Sequence, residues 1–491
     1  DLILTGRTLF GAKSPKGQEL EDHYFGVIKP RVMAYMEELN EELWKLGIVA
    51  KTEHNEVAPA QHEMAPIFDT TNVATDHNQL TMEIMKKVAD RHGMACLLHE
   101  KPFAGVNGSG KHNNWSISTN TGMNLLNPGK KPEENKEFLL FLSAVISAVD
   151  EYQDLLRVSV ASAGNDHRLG ANEAPPAIVS MYLGDELEAV LSAIAEGVAY
   201  QSTGAAKMET GVHVLPDFKK DTTDRNRTSP FAFTGNKFEF RMLGSNISIS
   251  GPNIVINTIV ADELKKFADR LEKAKDYEDF QAEVIAIVKE TMKKHSRIIF
   301  NGNNYSDEWV QEAEKRGLLN LKSTADAVPY FASQKNIDLF TRNKIFTEAE
   351  VRSRCEIILE NYCKVVNIEA LTALDMAKKD IIPAVFSYIK DLAKTVSLKK
   401  GIGLDVSEDA ETVMISKLSK LANSLSAKTD ALDSALLNLD SSSSAEEQAK
   451  YFRNTVISAM QELRAVADQL ETMVGAKYWP FPCYGELLFS I

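Results

Sequence analysis

The chain is poor in cysteine, short of positive charge and without long apolar runs. Its four cysteines (Cys96, Cys355, Cys363, Cys483) have no paired metal-ligand spacing and read as reduced, cytosolic thiols. That excludes a disulfide-stapled scaffold. Lys and Arg number 55 against 69 Asp and Glu, a formal net charge of −14, which argues against a nucleic-acid or anionic-membrane partner. It leaves room for a local basic pocket. No run approaches the roughly twenty apolar residues of a membrane helix, and there is no secretory signal peptide. Histidine is scarce as well and unevenly placed. Nine of the ten lie at or before His213, so chemistry is expected in the first half. What remains is an ordinary globular composition, 44% hydrophobic and 25% charged, in 491 residues, enough for two or three domains.

The organising stretch is residues 96–118. An apolar run, Cys96-Leu97-Leu98, leads to Lys101-Pro102 and then to Gly105, Gly108 and Gly110. After Gly110, His112, Asn114, Ser116 and Ser118 share one parity, while Asn113, Trp115 and Ile117 share the other. This period of two predicts a half-buried strand behind a glycine-rich turn. Glycines let backbone N–H groups approach an anion closely, and a histidine behind such a loop can ligate a metal that the anion bridges. Gly105-x-x-x-x-Gly110-Lys111 is also a P-loop pattern up to its last position, where His112 replaces Ser or Thr. The residues that follow are poor helix formers, and a P-loop must open a helix. The bland alternative is a structural hairpin with a surface histidine.

Two further segments carry chemistry. In residues 48–68, Glu53, Glu56 and Glu63 crowd together with His54 and His62 among Val57, Ala58, Met64 and Ala65. Carboxylates in an apolar strand are costly unless they bind something positive, and hard divalent cations want such oxygens. An ideal strand would put Glu56 and Glu63 on opposite faces; an irregularity at Pro59, such as one bulged residue, would bring them to the same face. The competing reading is a polar edge strand whose glutamates pair with lysines. In residues 224–242, Lys237, Glu239 and Arg241 alternate with Phe238 and Phe240, behind Arg225 and Arg227. This suits a metal-bound polyphosphate; a salt-bridge ladder would explain the alternation but not the density of arginine. A loop at 161–176 offers Asp166, His167, Arg168 and Glu173, able to grip a zwitterion and close over it.

Together, Glu56-Val57-Ala58-Pro59-Ala60-Gln61-His62-Glu63, Lys101-Pro102 with Asn107-Gly108-Ser109-Gly110-x-His112, and Asn226-Arg227 with Lys237-Phe238-Glu239-Phe240-Arg241 resemble the ordered motifs of the glutamine synthetases. The helical second half resembles the bacterial type III branch. The resemblance implies an α+β fold: a catalytic domain at 1–260, with a curved antiparallel sheet flanked by helices, then a long all-helical region at 261–491. It implies an ATP-dependent ligase making L-glutamine from L-glutamate and ammonium through γ-glutamyl phosphate. Glu56 and Glu63 resemble ligands of a first metal, and His112 and Glu239 of a second, with two to three Mg2+ or Mn2+ per active site. Asn107, Gly108, Arg168 and Arg241 resemble glutamate-binding positions. Arg227 and Lys237 resemble the phosphate-binding cations, and Asn114 and Ser116 fall at nucleotide-side positions. Glu173 resembles the flap glutamate that deprotonates ammonium, and Glu56 and Arg227 join it in the catalytic set. The family also implies self-association into stacked hexameric rings, a dodecamer, in the cytoplasm. A Glu-x-Glu strand and a small β-grasp domain belong to the family and are not found here; they would fall before Asp1. Ala232 stands where a further phosphate-site arginine is expected, and Asn114 where many relatives carry a histidine. A ligase for another amine, or a non-catalytic binding or regulatory homologue, are the alternatives.

Elsewhere the pattern predicts helices. Residues 21–46 carry a stripe through Val27, Val32, Met36, Leu39 and Leu43, which Pro30 starts or kinks. Further helices are predicted over 76–92, with Asp76 as N-cap, over 133–160 and over 178–200. Thr347-x-x-Glu350 and Ser444-x-x-Glu447 are capping boxes, and 407–438 should pair with 445–474 as an antiparallel hairpin. The aromatic tail, Tyr478-Trp479-Pro480-Phe481-Pro482, should dock on the body or on a neighbour.

Overall fold

The computed structural model describes residues 1–170, 174–200, 207–208, 218–219, 226–402 and 406–490. It divides into two compact units, Asp1–Ser109 with Glu356–Ile491, and Gly110–Cys355.

In the first unit, helix α1 (Pro30–Lys45) starts at Pro30, whose missing N–H costs nothing at a helix N-terminus. The helix is therefore shorter than the 21–46 pattern predicts, and Val27 ahead of it is 89% exposed. Strands β1 (Ala50–Asn55) and β2 (His62–Pro66) form an antiparallel hairpin, in place of one long irregular strand. Helix α2 (Thr71–Arg91) begins five residues before Asp76, with Thr70 at its N-cap position. Leu39 and Leu43 of α1 pack with Ile48 and Val88, and Met64 of β2 lies against them. This cluster is what carries the hairpin.

The C-terminal helices of this unit pack on one another. The helix Ile382–Gly401 lies along Asp409–Leu437, which pairs in turn with Ile457–Glu471. Ser444 and Glu447 close the expected capping box reciprocally. Thr347 and Glu350 do the same at 2.8 and 3.3 Å ahead of helix Glu348–Met376. The tail docks within the unit: Tyr478 donates to Asp391 at 2.6 Å, and Tyr484 packs with Phe103, Ala58 and Val106.

The second unit holds a four-stranded sheet of β3 (Gly110–Trp115), β4 (Met181–Tyr182), β5 (Phe231–Phe233) and β6 (Phe238–Gly244), in the order β3-β6-β5-β4. All its pairings are antiparallel except β4 with β5. β4 occupies part of the predicted 178–200 helix, which begins only at Asp185. Phe231 stacks on Phe238 at 4.9 Å, and Phe233 and Phe240 complete the apolar side of the sheet. The almost wholly buried helix Lys136–Glu151 packs against Ser250–Leu271 and Tyr277–His295. Residues 163–168 are a short helix where a loop was expected, because Ser162 accepts a hydrogen bond from the Asn165 N–H and caps it.

Candidate active site

The hairpin builds the first cluster. Ala60 takes φ +60°, and the Glu56 N–H donates to Gln61 O at 2.9 Å, closing a tight connection around Pro59. That connection fixes the register, so His54 faces Glu63 and Asn55 faces His62. His54 Nε2 then lies 2.8 Å from Glu63 Oε2 and 3.9 Å from Glu56 Oε1. One ligand atom from each of His54, Glu56 and Glu63 lies within 4.8 Å of the others. His54 Nδ1 is 2.8 Å from the carbonyl of Asn55. A carbonyl can only accept, so Nδ1 donates to it, and Nε2 is the ring nitrogen turned to the two carboxylates. Two carboxylates and one oriented imidazole suit a divalent cation. Turning sets Glu53 apart: its carboxylate takes a hydrogen bond from Asn40 at 2.6 Å.

Around this cluster the neighbours are fixed. His23 Nδ1 reaches the carbonyl of Glu56 at 2.6 Å. Asn55 donates to the carbonyls of His23 and Gly26, so its Oδ1 is left to accept from His62 Nδ1 at 2.9 Å. Burial, together with His23 and Lys29 nearby, pushes the His62 imidazole down to about 4, so it is neutral at physiological pH.

The glycine-rich loop lies against the same hairpin. Gln61 Nε2 donates to the Gly108 carbonyl at 3.0 Å, and the Ser109 N–H donates to Glu100 O at 2.8 Å. Lys101 Nζ caps the carbonyl of Val106. Asn107 and Gly108 line a mostly apolar cavity of about 380 Å³ with Ala58, Gln61, Cys96 and Phe103.

The second unit carries the other cluster. β3 is a strand, which disposes of the P-loop reading, and it alternates as predicted: Asn113 and Trp115 are buried, His112, Asn114 and Ser116 exposed. The pairing with β6 slips at His112, a bulge of the kind that re-aims a side chain beside a site. His112 Nδ1 comes to 3.1 Å from Glu239 Oε1, and Arg241 Nη1 to 3.4 Å from Glu239 Oε2. Glu239 and Arg241 are each 2% exposed. The Arg241 Nε lies buried without a hydrogen-bond partner in this structure. A buried guanidinium donor in that state fits an anionic ligand.

Arg168, on the Ala163–Arg168 helix, directs its guanidinium at backbone carbonyls of Arg241 and Leu243, at 3.3 and 3.2 Å. It passes so close to Gly110 that a Cβ there would sit 2.1 Å from its Nη2. Asn226 donates to the carbonyl of Gly302 at 2.8 Å and holds the turn on which Arg227 is exposed. Lys237 is half-buried at the start of β6, and Ser116 donates to Asn236 O at 2.9 Å. Glu173 lies outside the described residues. Sequence reasoning gave His54 no role. No local signal marks it, because the register that sets residue 54 opposite 63 depends on Ala60 adopting a left-handed φ.

Each unit thus carries a carboxylate–imidazole cluster, and the one in the second unit lies beside the buried Arg241. The family described as "Glutamine synthetase, catalytic domain" matches residues 9–182, and "Glutamine synthetase C-terminal domain" matches residues 283–400. The whole chain is 54% identical to a glutamine synthetase of Butyrivibrio fibrisolvens, covering 70% of that protein. It is 47% identical to the type-3 glutamine synthetase of Dictyostelium discoideum, covering 67%. It is 44% identical to a glutamine synthetase of Bacteroides fragilis, covering 68%. The chain belongs to the glutamine synthetase family. It spans about seven-tenths of the length of these relatives. Among the described residues no helix is long and apolar enough to cross a membrane.

Proposed function

We propose that this chain carries out the ATP-dependent synthesis of L-glutamine from L-glutamate and ammonium, through γ-glutamyl phosphate. The observation that carries this reading is the convergence on one hairpin of Glu56 and Glu63, the ends of the motif that resembles the family's first metal site, with His54 just ahead of it. Glu56 and Glu63, with His54, would hold one Mg2+ or Mn2+, and His112 with Glu239 a second, of two to three per active site. Such cations, when bound, screen the charge of the transferring phosphoryl group.

The protein's own groups do the rest. Arg241, buried with a free Nε donor, binds a glutamate carboxylate, and Asn107 and the Gly108 backbone hold the amino-acid end. Arg168, whose guanidinium lies against the β6 carbonyls of Arg241 and Leu243, is the second arginine for the glutamate carboxylates. Arg227 and Lys237 neutralise phosphate oxygens, and Asn114 and Ser116 face the nucleotide. A γ-carboxylate oxygen attacks the terminal phosphorus of ATP; its bond forms as the bond to ADP breaks. Glu173 keeps water from the acyl phosphate and takes a proton from ammonium. Ammonia then attacks the acyl carbon, and phosphate leaves. The enzyme works in the cytoplasm as stacked hexameric rings, with domains at 1–260 and 261–491.

A ligase for another amine uses the same first step and differs only in the nucleophile. Supplying ammonium and, separately, methylamine or ethylamine, with product masses read by mass spectrometry, tests the choice. Glutamine formed far faster than either N-alkylglutamine is the expected result; preference for an amine overturns it.

A further inference from the structure

Asn107 does not set its own orientation. Its backbone N–H, which can only donate, is 2.7 Å from Gln18 Oε1. That contact fixes which end of the Gln18 amide is oxygen. The other end, Nε2, can only donate, and it lies 2.6 Å from the side-chain oxygen of Asn107. Gln18 Nε2 claims Asn107 Oδ1, so the Asn107 amino group must turn away from Gln18. The neighbouring peptide is held independently, by Gln61 Nε2 on the Gly108 carbonyl at 3.0 Å. A carboxamide has two nearly isosteric orientations, and only one offers N–H donors to a carboxylate.

We infer that Gln18 is a positioning residue for substrate: it locks the Asn107 side chain with its amino group presented to the carboxylate of the amino-acid substrate. The inference rests on the proposed role of Asn107 in binding glutamate. Gln18 touches no substrate itself. Its segment is set by a turn in which the Glu21 N–H donates to Gln18 O at 3.0 Å.

Gln18→Glu is the sharp variant. The new carboxylate still accepts from the Asn107 N–H, so the loop keeps its anchor, but it has no donor for Oδ1. The Asn107 amide then rotates its amino group toward residue 18 and shows its oxygen to the substrate. The test measures L-glutamate affinity by calorimetry, with Mg2+ and a non-hydrolysable ATP analogue present, on the unsubstituted protein, Gln18→Glu, Asn107→Ala and the double variant. Losing a hydrogen bond to a charged group predicts a Kd higher by about 10- to 100-fold in Gln18→Glu, with the nucleotide Kd unchanged. Asn107→Ala alone should weaken glutamate binding similarly. In the Asn107→Ala background, Gln18→Glu should change the Kd by less than about twofold. An undiminished penalty with Asn107 absent means direct charge repulsion or a general structural role, and overturns the inference. So does an unaltered Kd in Gln18→Glu while Asn107→Ala weakens binding. If Asn107→Ala binds glutamate as well as the unsubstituted protein, or if the unsubstituted protein binds none, the reading of Asn107 fails and the inference falls with it, a result distinct from the first two.

Discussion

At the scale of single residues, function and stability pull against each other in the His54–Glu56–Glu63 cluster. On the proposed reading a cation bridges these two carboxylates and the imidazole, whose ligand atoms lie within 4.8 Å of one another; without one, like charges so close cost stability. Glu63→Gln should therefore leave the melting temperature of the metal-free protein unchanged or raised, and abolish the increase that millimolar Mn2+ gives the unsubstituted protein. Thermal melts with and without Mn2+ read both at once; retained stabilisation by Mn2+ would remove Glu63 from the site. A different residue sets a pH dependence. Burial, with Arg7 nearby, pushes His99 from 6.5 down to about 4. Between these values the unfolded chain takes up a proton that the folded protein refuses, so stability falls as pH drops through that window and is level above it. Going from pH 7 to pH 5 should cost about 2 kcal/mol through this group, and His99→Gln should flatten the urea-midpoint slope there. An equal slope in the variant contradicts this.

At the scale of elements, what was legible depended on how local the determining interactions are. The β3 strand could be read because alternation and the glycines before it are features of contiguous sequence. The hairpin could not: its register turns on Ala60 adopting a left-handed φ, for which alanine gives no sign. The Ala163–Arg168 helix was hidden because Gly164 and Asn165 are poor helix formers, and its stability comes from the Ser162 cap and from Asn165 bridging the carbonyls of Val160 and Met242. Helix α1 was overextended because Val27 fits the apolar period without being buried. Elements joined over long sequence distances should be the fragile ones. Arg7 grips Glu369 through two hydrogen bonds of 2.8 and 2.7 Å, tying the N-terminal segment to the helix Glu348–Met376. Glu369 is 1% exposed, so Glu369→Ala leaves a mostly buried guanidinium unpaired and should cost about 3 kcal/mol in urea denaturation. The exposed capping box at Ser444 is worth less: Ser444→Ala should cost about 1 kcal/mol. A larger loss at Ser444 than at Glu369 would reverse this ranking.

At the scale of the whole molecule, the family could be read from three short motifs in order, while their grouping in space could not. The sequence motifs place Glu56 with Glu63 and His112 with Glu239. The structure adds His54, the orphaned Arg241 Nε and the Gln18 amide, each a consequence of folding that brings distant positions together. The C-terminal helices need no such grouping to be recognised, since apolar spacing and capping boxes mark them locally. On the proposed reading these clusters make glutamine. That is tested most directly by following glutamine formation from L-glutamate, ammonium and ATP with Mg2+, on the protein carrying this chain and on its Glu239→Gln and Glu56→Gln variants. Glutamine, ADP and phosphate in equal amounts are expected from the unsubstituted protein, with a rate lower by at least about a hundredfold in each variant. Glutamine formation undiminished in both variants, or none from the unsubstituted protein, would contradict that reading.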